Sequence, residues 1–288
     1  VPTPAFEMTT KIGCLRLCNE EKTAVACALS VAPVLDYLFV TYSKVDQTDN
    51  SINYLKDWQD TFKKDYGMEL VFNEYPYHVD ASHSLEDLRT SPEENYLSTY
   101  NTFAVDAIRD FITESKLDDV LACKIDGDLV YIADVFGSHF DAIVEKGYLQ
   151  GSYCAYNTLV YRNKFLIYHP VPLIGKLGRG GWIRRPITLP KFYQDRFYEG
   201  EGDFVVDTVE IDGEMCDRYC TQVPNLAQAE PSCFHFMSEF RSGGVVREFN
   251  ESEICSLEGT DILDVYKAEI LPILQKADSP FQDLTFDF

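Results

Sequence analysis

The spacing of apolar positions changes repeatedly over the first 135 residues, and each change marks an element. KIGCLRL (11–17) and LDYLFVTY (35–42) carry the β-branched and aromatic pattern of strands. Between them, NEEKTAVACALSVAPV opens on acidic residues and predicts a short helix. In SINYLKDWQDTFKKDYG (51–67), Ile52, Leu55, Trp58 and Phe62 recur at helical spacing, and Gly67 is placed to end the helix. MELVFNEYPY (68–77) predicts a third strand. SPEENYLSTYNTFAVDAIRDFITESK (91–116) opens Ser-Pro-Glu, continues with Phe103, Ile108 and Phe111, and predicts a long helix; DDVLACKI predicts a fourth strand. Strands alternating with helices predict an α/β fold, a mostly parallel sheet flanked by helices on both faces.

The second half is less regular until its end. Ile262, Leu263, Tyr266, Ile270 and Ile273 recur at helical spacing, with Pro272 expected to kink the helix. This tail is expected to pack on the rest of the chain, on a second subunit in a homodimer, or at a membrane edge. Its acidic face, Asp261, Asp264 and Glu269, makes anionic lipid the least favoured of these.

Composition narrows the function classes. With 45% hydrophobic and 14% aromatic residues, 288 residues can bury a large core. A formal net charge of -22 disfavours broad contact with nucleic acid or anionic membrane. The longest apolar stretch, VACALSVAPVLDYLFV, carries Pro33 and Asp36 and is shorter than the roughly 20 residues of a membrane span. Nine cysteines scattered from Cys14 to Cys255 do not form the framework of a small secreted scaffold. VPTPAFEMTTK has neither the basic nor the apolar region of a signal peptide. The expectation is a soluble, cytoplasmic protein with no membrane span and no nucleic-acid partner.

Candidate chemistry begins at CKIDGDLVYI, where Asp126 and Asp128 follow the fourth strand. In open α/β sheets ligands gather outside the carboxyl ends of strands. In extended chain, residues two apart point the same way, and Gly127 leaves room for close approach. Two like carboxylates facing one spot repel unless a cation joins them, and Mg²⁺ or Mn²⁺ with room for phosphate would satisfy them. The same triplet also makes a tight turn without any ligand.

GKLGRGGWIRRPITLPKFYQDR (175–196) sets six basic side chains, Lys176, Arg179, Arg184, Arg185, Lys191 and Arg196, against one acid, Asp195. Its glycines suit a lid, its arginines suit phosphate, and Trp182 suits stacking on a base or sugar. It is expected to cover a diphosphate or to seat an anionic acceptor. The bland alternative is a charged loop paired with acidic neighbours.

CKIDGDLVYI resembles the Asp-X-Asp segment of glycosyltransferases with the GT-A fold, particularly the large inverting family 2. CLRLCNEE (14–21) resembles their first strand and the Asn-Glu after it. VDQTDNS (45–51) resembles their Asp-rich nucleotide-reading loop, and NYLSTYNTFAVDAI (95–108) the helix carrying an Asn before the metal motif. These four motifs stand in the family's order, and the resemblance is loose after residue 150.

The resemblance implies a UDP- or GDP-linked sugar as donor, a glycan or lipid-linked acceptor, and Mn²⁺ or Mg²⁺ held at Asp126 and Asp128. It implies nucleotide contacts from Asn19, Asp46, Asp49, Asn101 and Asp126. VDQTDNS also reads from sequence alone as a polar turn capping the helix that starts at Ser51. Inverting transfer needs a carboxylate to deprotonate the acceptor; Glu201 and Asp203 are the expected pair, with Asp195 and Glu199 as rivals. His235 is the position expected to complete the metal shell. Residues 8–150 would bind the nucleotide sugar, 151–250 would form the acceptor half of the same domain, and 251–288 a helical tail.

Other readings remain. His235 also suits a satisfied core histidine, and Cys216, Cys220, Cys233 and His235 offer a loosely spaced zinc set. Cys154 or Cys233 could act as a nucleophile beside a histidine. A sugar-phosphate nucleotidyltransferase shares the strand order, but RLCNEEKTA lacks the glycine-rich loop such an enzyme needs. A non-catalytic carbohydrate- or calcium-binding module fits the acidity but not the α/β alternation or an EF-hand spacing.

Overall fold

The computed structural model of the protein describes residues 9–79, 92–95, 97–117, 119–145, 150–152, 155–161, 164–167, 181–184, 191–192, 207–211, 214–216, 233–238 and 264–283. Four strands run parallel: β1 (Thr10–Leu17), β2 (Tyr37–Ser43), β3 (Glu69–Tyr75) and β4 (Val120–Asp126), in the spatial order β3-β2-β1-β4. Their register places Arg16 of β1 beside Thr41 on one side and Asp126 on the other.

Alternation along these strands covers the sheet twice. On one face Leu15, Leu17, Leu38, Val40, Leu121 and Ile125 pack against helix α1 (Ala24–Val31), against Leu55 of α2 (Ser51–Asp57) and against Phe136 and Phe140 of α4 (Ala133–Glu145). On the other face Ile12, Phe39, Val120 and Ala122 meet Ile108 and Ile112 of α3 (Leu97–Glu114). A fully buried Leu such as Leu15 stabilises this arrangement by about 1.5–3 kcal/mol.

Helix α1 begins later than its acidic start suggests, because Asn19 takes a left-handed backbone (φ 56°) and turns residues 18–23 into a loop. All eight of its residues are buried. Its alanines, Cys27 and Ser30 are small enough to sit between the main sheet and a second layer, to which Ala26 contributes. Gly67 ends the helical stretch after α2 with φ 78°, the left-handed cap that glycine adopts without strain.

Beyond β4 the pairing becomes mostly antiparallel. β5 (Leu129–Tyr131), β7 (Ala155–Tyr161), β8 (Lys164–Ile167) and β13 (Cys233–Ser238) form a second sheet in the order β5-β13-β7-β8, in which only β13 and β7 run parallel. β6 (Gln150–Ser152) and β9 (Gly181–Arg184) extend the main sheet, with β9 antiparallel to β4 and β6 antiparallel to β9. β10 (Lys191–Phe192), β11 (Asp207–Ile211) and β12 (Glu214–Cys216) make a small third sheet.

The C-terminal helix packs on the body of the chain. Tyr266, Ile270, Leu274 and Phe281 are buried with Val130, Ile132, Phe234 and Phe236, and the Phe236 and Phe281 rings stack at 5.4 Å. Where a kink is expected, residues Tyr266–Ile270 form a wider π-helical turn and Leu271–Lys276 continue as α5. Pro272 falls in the first turn of α5, where a missing N–H costs little. No helix among the described residues is long and apolar enough to cross a membrane.

Candidate functional site

The chain leaves β1 toward β2 on one side and later returns to β4 on the other. Loops after β1 and β4 therefore diverge, and a crevice opens at their carboxyl ends. Asp126 closes β4, and residues 127–128 turn into β5 instead of continuing the strand. That turn divides the two expected metal ligands between different surroundings.

Asp126 belongs to the α3 face. Its Oδ1 accepts from Arg16 Nη2 at 2.7 Å, and its Oδ2 lies 3.2 Å from Lys124 Nζ. Arg16 also donates from Nη1 to Asn101 Oδ1 at 3.0 Å, and Asn101 is buried on α3. Tyr100, the preceding residue, donates to the Thr41 carbonyl at 2.6 Å and fixes that turn of the helix against β2. Burial alone would raise the Asp126 pKa; the Lys124 and Arg16 charges and their hydrogen bonds outweigh it and hold the carboxyl well below the usual range.

Asp128 lies in the cleft on the α1 side, a space of about 770 Å³. Loop residues Asn19 to Thr23, Tyr54 of α2 and Trp58 just after it, Phe236 of β13, and Ala277 to Phe281 line it. Its volume is within the range of small-ligand sites. Glu20 (8% exposed) and Asp128 (6%) are both buried. A Cβ on Gly127 would stand 2.2 Å from Glu20 Oε2 and 2.7 Å from Leu17 Cδ1, so glycine there lets the Glu20 carboxylate lie against the turn. Cys27 Sγ donates to the Asp126 carbonyl at 3.4 Å. Burial first, then the Glu20, Asp128 and Asp126 charges, push its thiol far above the ordinary range, so it is a protonated donor and not a nucleophile.

The lining is acidic. Glu20, Glu21, Asp49, Asp57, Asp128 and Asp278 contribute carboxylates, and Lys22 contributes an ammonium whose Nζ lies over the Phe281 ring at 5.8 Å. Ser279 Oγ donates to the Lys22 carbonyl at 2.6 Å, tying the C-terminal wall to the loop after β1.

The aspartate-rich loop is knitted to the loop after β1. Asn19 Oδ1 accepts from the N–H groups of Thr48 (2.7 Å) and Asp49 (3.2 Å), and its Nδ2 donates to the Asp46 carbonyl (2.9 Å). Asp49 accepts from the N–H groups of Glu21 (2.7 Å) and Ser51 (3.0 Å), the latter at the start of α2. The Asp46 carboxylate bonds His78 Nδ1 at 2.5 Å and the Val79 N–H at 2.7 Å. Its burial would raise its pKa, but those bonds, another to Ser43 and the His78 charge lower it. Asn19, Asp49 and Asp128 therefore reach the cleft, whereas Asp46 is engaged by the loop after β3.

Of the basic segment 175–196, residues 181–184 and 191–192 are described, and Trp182 and Arg184 fall on a strand. They lie on β9, opposite Cys123 and Leu121, because Trp182 and Ile183 supply the aromatic and β-branched residues that a sheet accepts. The amino end of β9 stands at the carboxyl end of β4. His235 lies on β13 opposite Leu129, and the adjacent Phe236 N–H donates to the Asp128 carbonyl at 2.8 Å. The backbone of His235 is thus within one rung of Asp128. Cys216 ends β12, and Cys233, at the start of β13, is fully buried. Lys176, Arg179, Arg185, Asp195, Glu199, Glu201, Asp203, Cys154 and Cys220 lie outside the described residues.

Sequence reasoning missed Arg16, Lys124, Glu20 and the C-terminal wall. Arg16 left one signal: an arginine inside the apolar strand CLRL needs an acidic partner if the strand is central. Among the described residues no three His, Cys, Asp or Glu side chains converge on one metal position. Both Asp126 oxygens already meet cations. Glu20 and Asp128 are the buried carboxylates in the cleft lining, and Glu20 Oε2 accepts from the Cys18 N–H at 3.3 Å. No protein-family model matches the chain, and no curated protein matches it.

Proposed function

We propose that the protein is a GT-A glycosyltransferase that moves a sugar from a UDP- or GDP-linked donor to a glycan or lipid-linked acceptor with inversion. The observation that carries this reading is the 770 Å³ cleft at the carboxyl ends of β1 and β4, with Asp128 and Glu20 buried in its wall. A strand order of β3-β2-β1-β4 with an antiparallel strand beside β4 supports it, as does the succession of four motifs in the first 135 residues.

In this reading Asp128 and Glu20 would hold Mn²⁺ or Mg²⁺. The bound ion supplies stabilisation of charge developing on the leaving phosphate. Tyr54 and Trp58 offer flat apolar surfaces against which a base or sugar would stack. Asn19 and Asp49 keep the rim closed by bonding each other's loops, so the nucleotide would meet an ordered wall. Asp126 and Asn101 set the position of the β4 turn through Arg16. His235, one rung from Asp128, is the further metal ligand proposed. Residues 151–250 supply the acceptor side, with Glu201 or Asp203 taking the acceptor's proton. The basic residues Lys176, Arg179, Arg184 and Arg185, with Trp182, serve the phosphates or an anionic acceptor.

Calorimetric titration with UDP, GDP and CMP, each with Mn²⁺ and again with chelator, tests the reading. One nucleotide should bind only with the metal, and Asp128→Ala should abolish its binding. If no nucleotide binds in either condition, the reading is wrong.

A further inference from the structure

The side chains expected to read the nucleotide are spent on the protein itself. A carboxylate offers about four lone-pair positions, and Asp49 accepts from four donors: the Glu21 and Ser51 N–H groups, the Ser51 hydroxyl and the Gln47 amide. Asn19 Oδ1 accepts from the Thr48 and Asp49 N–H groups and from the Thr48 hydroxyl, and the Asp46 carboxylate is held by His78 and Val79. Glu21 is different. Its Oε1 accepts from the Tyr54 phenol at 3.1 Å and its Oε2 from the Asn50 N–H at 3.4 Å, both at the exposed lip of the cleft, so lone pairs remain on both oxygens. The bond to Glu21 and its charge hold the Tyr54 phenol above its ordinary value, which keeps the phenol a donor and Glu21 the acceptor. Asp57, at the end of α2, also lines the cleft, but among the described residues no hydrogen bond aims it.

Resting on the reading of the cleft as a nucleotide-sugar site, we propose that Glu21 is its specificity-determining residue: its carboxylate accepts from the hydroxyls of a sugar ring that stacks on Tyr54. The chemistry at this spot suits a sugar from two sides. Tyr54 is 41% exposed and presents a flat ring against which the C–H face of a sugar can lie. Its hydroxyl is already turned to Glu21, so the carboxylate stands at the edge of that ring, where the hydroxyl donors of the sugar would reach it. The Asn50 N–H, at the start of α2, holds the other oxygen, so the acceptor is set before a ligand arrives and little ordering is left to be done on binding. Such hydroxyls are carried both by the ribose of the nucleotide and by the sugar to be transferred.

The test is calorimetry with Mn²⁺ present, comparing UDP and GDP with their 2′-deoxy forms and with UDP-glucose and GDP-mannose. If the ribose meets Glu21, the wild type should bind the ribonucleotide about 10-fold or more tightly than the 2′-deoxy form. If the transferred sugar does, a preference of about that size should favour the sugar-linked nucleotide over the free one. Glu21→Ala should erase whichever preference the wild type shows and leave the affinity for the ligand lacking those hydroxyls near the wild-type value. A merely structural glutamate would lower all affinities together and leave the ratios unchanged. Tyr54→Phe keeps the ring and removes the aiming phenol, so it should shrink the same ratio, and it carries the test if Glu21→Ala does not fold. Nucleotide binding with neither preference, or a folded Glu21→Ala protein that keeps the wild-type ratios, overturns the proposal while the reading of the cleft stands. Binding of none of these ligands overturns both.

Discussion

Asp126 and Asp128 are separated by one glycine, yet one is neutralised by two cations beside α3 and the other is buried in an acidic cleft beside α1. The first is a structural charge. It pins β1 to β4 where the main sheet changes direction, and its removal would leave a guanidinium and an ammonium facing each other. The second contributes to a surface whose carboxylates outnumber its one ammonium. Like charges gathered in one wall are relieved by positive charge brought to it. Proximity in sequence to an Asp-X-Asp motif is thus a weaker guide to role than the strand face to which a side chain is assigned.

Asp126→Asn attacks the paired side and has the largest expected effect, a loss of about 3–5 kcal/mol in urea unfolding, because it strands two partly buried cations. An unchanged midpoint would show the pairing to be incidental. The same contrast has a pH signature. The Asp126 carboxyl is held below its ordinary value of 3.8 in the folded chain, so its contribution is present above that value and is lost as pH falls toward the folded value. The stability gap between wild type and Asp126→Asn should therefore narrow as pH falls from about 5 to about 2. A gap constant with pH would argue that packing, not charge, accounts for the variant.

Gly127→Ala tests the hinge between the two sides. The added methyl would displace Glu20 Oε2 and Leu17 Cδ1, at an expected cost of about 1–2 kcal/mol. It should also weaken Mn²⁺-dependent nucleotide binding, whereas a wild-type affinity would show that Glu20 is not needed in place. Asp128→Asn is expected to change stability least, by under about 1 kcal/mol, while removing metal-dependent nucleotide binding. A large loss of stability in Asp128→Asn would erase the comparison.

The parallel sheet was legible because its signals are local. KIGCLRL, LDYLFVTY, MELVFNEYPY and DDVLACKI announce β1 to β4, and Ile108 and Phe111 lie on the predicted third helix. The Arg16–Asp126 pair was not legible, since its partners are 110 residues apart and meet only through strand register. Asp126 and Asp128 were expected on one extended segment; the turn at 127–128 follows from pairing of β5 with β13, which begins at Cys233 and leaves no mark near residue 127. The same distance hid β9, whose four residues are held in the sheet by β4 and β6. In VDQTDNS the polar residues mostly bond one another and the loop after β1, a pattern that composition shares with a ligand loop.

The C-terminal wall has a consequence for biosynthesis. The loop after β1 is synthesised before β2, β3 and β4, but Ala277 to Phe281 and the Ser279 contact to Lys22 become available only after all four parallel strands have been made. A nascent chain can assemble its parallel strands while the cleft is still open along one side. The cleft is thereby completed only after residue 281 has been made, and a chain stopped after residue 263 would lack the wall that Ala277 to Phe281 supply and the buried Tyr266, Ile270 and Leu274.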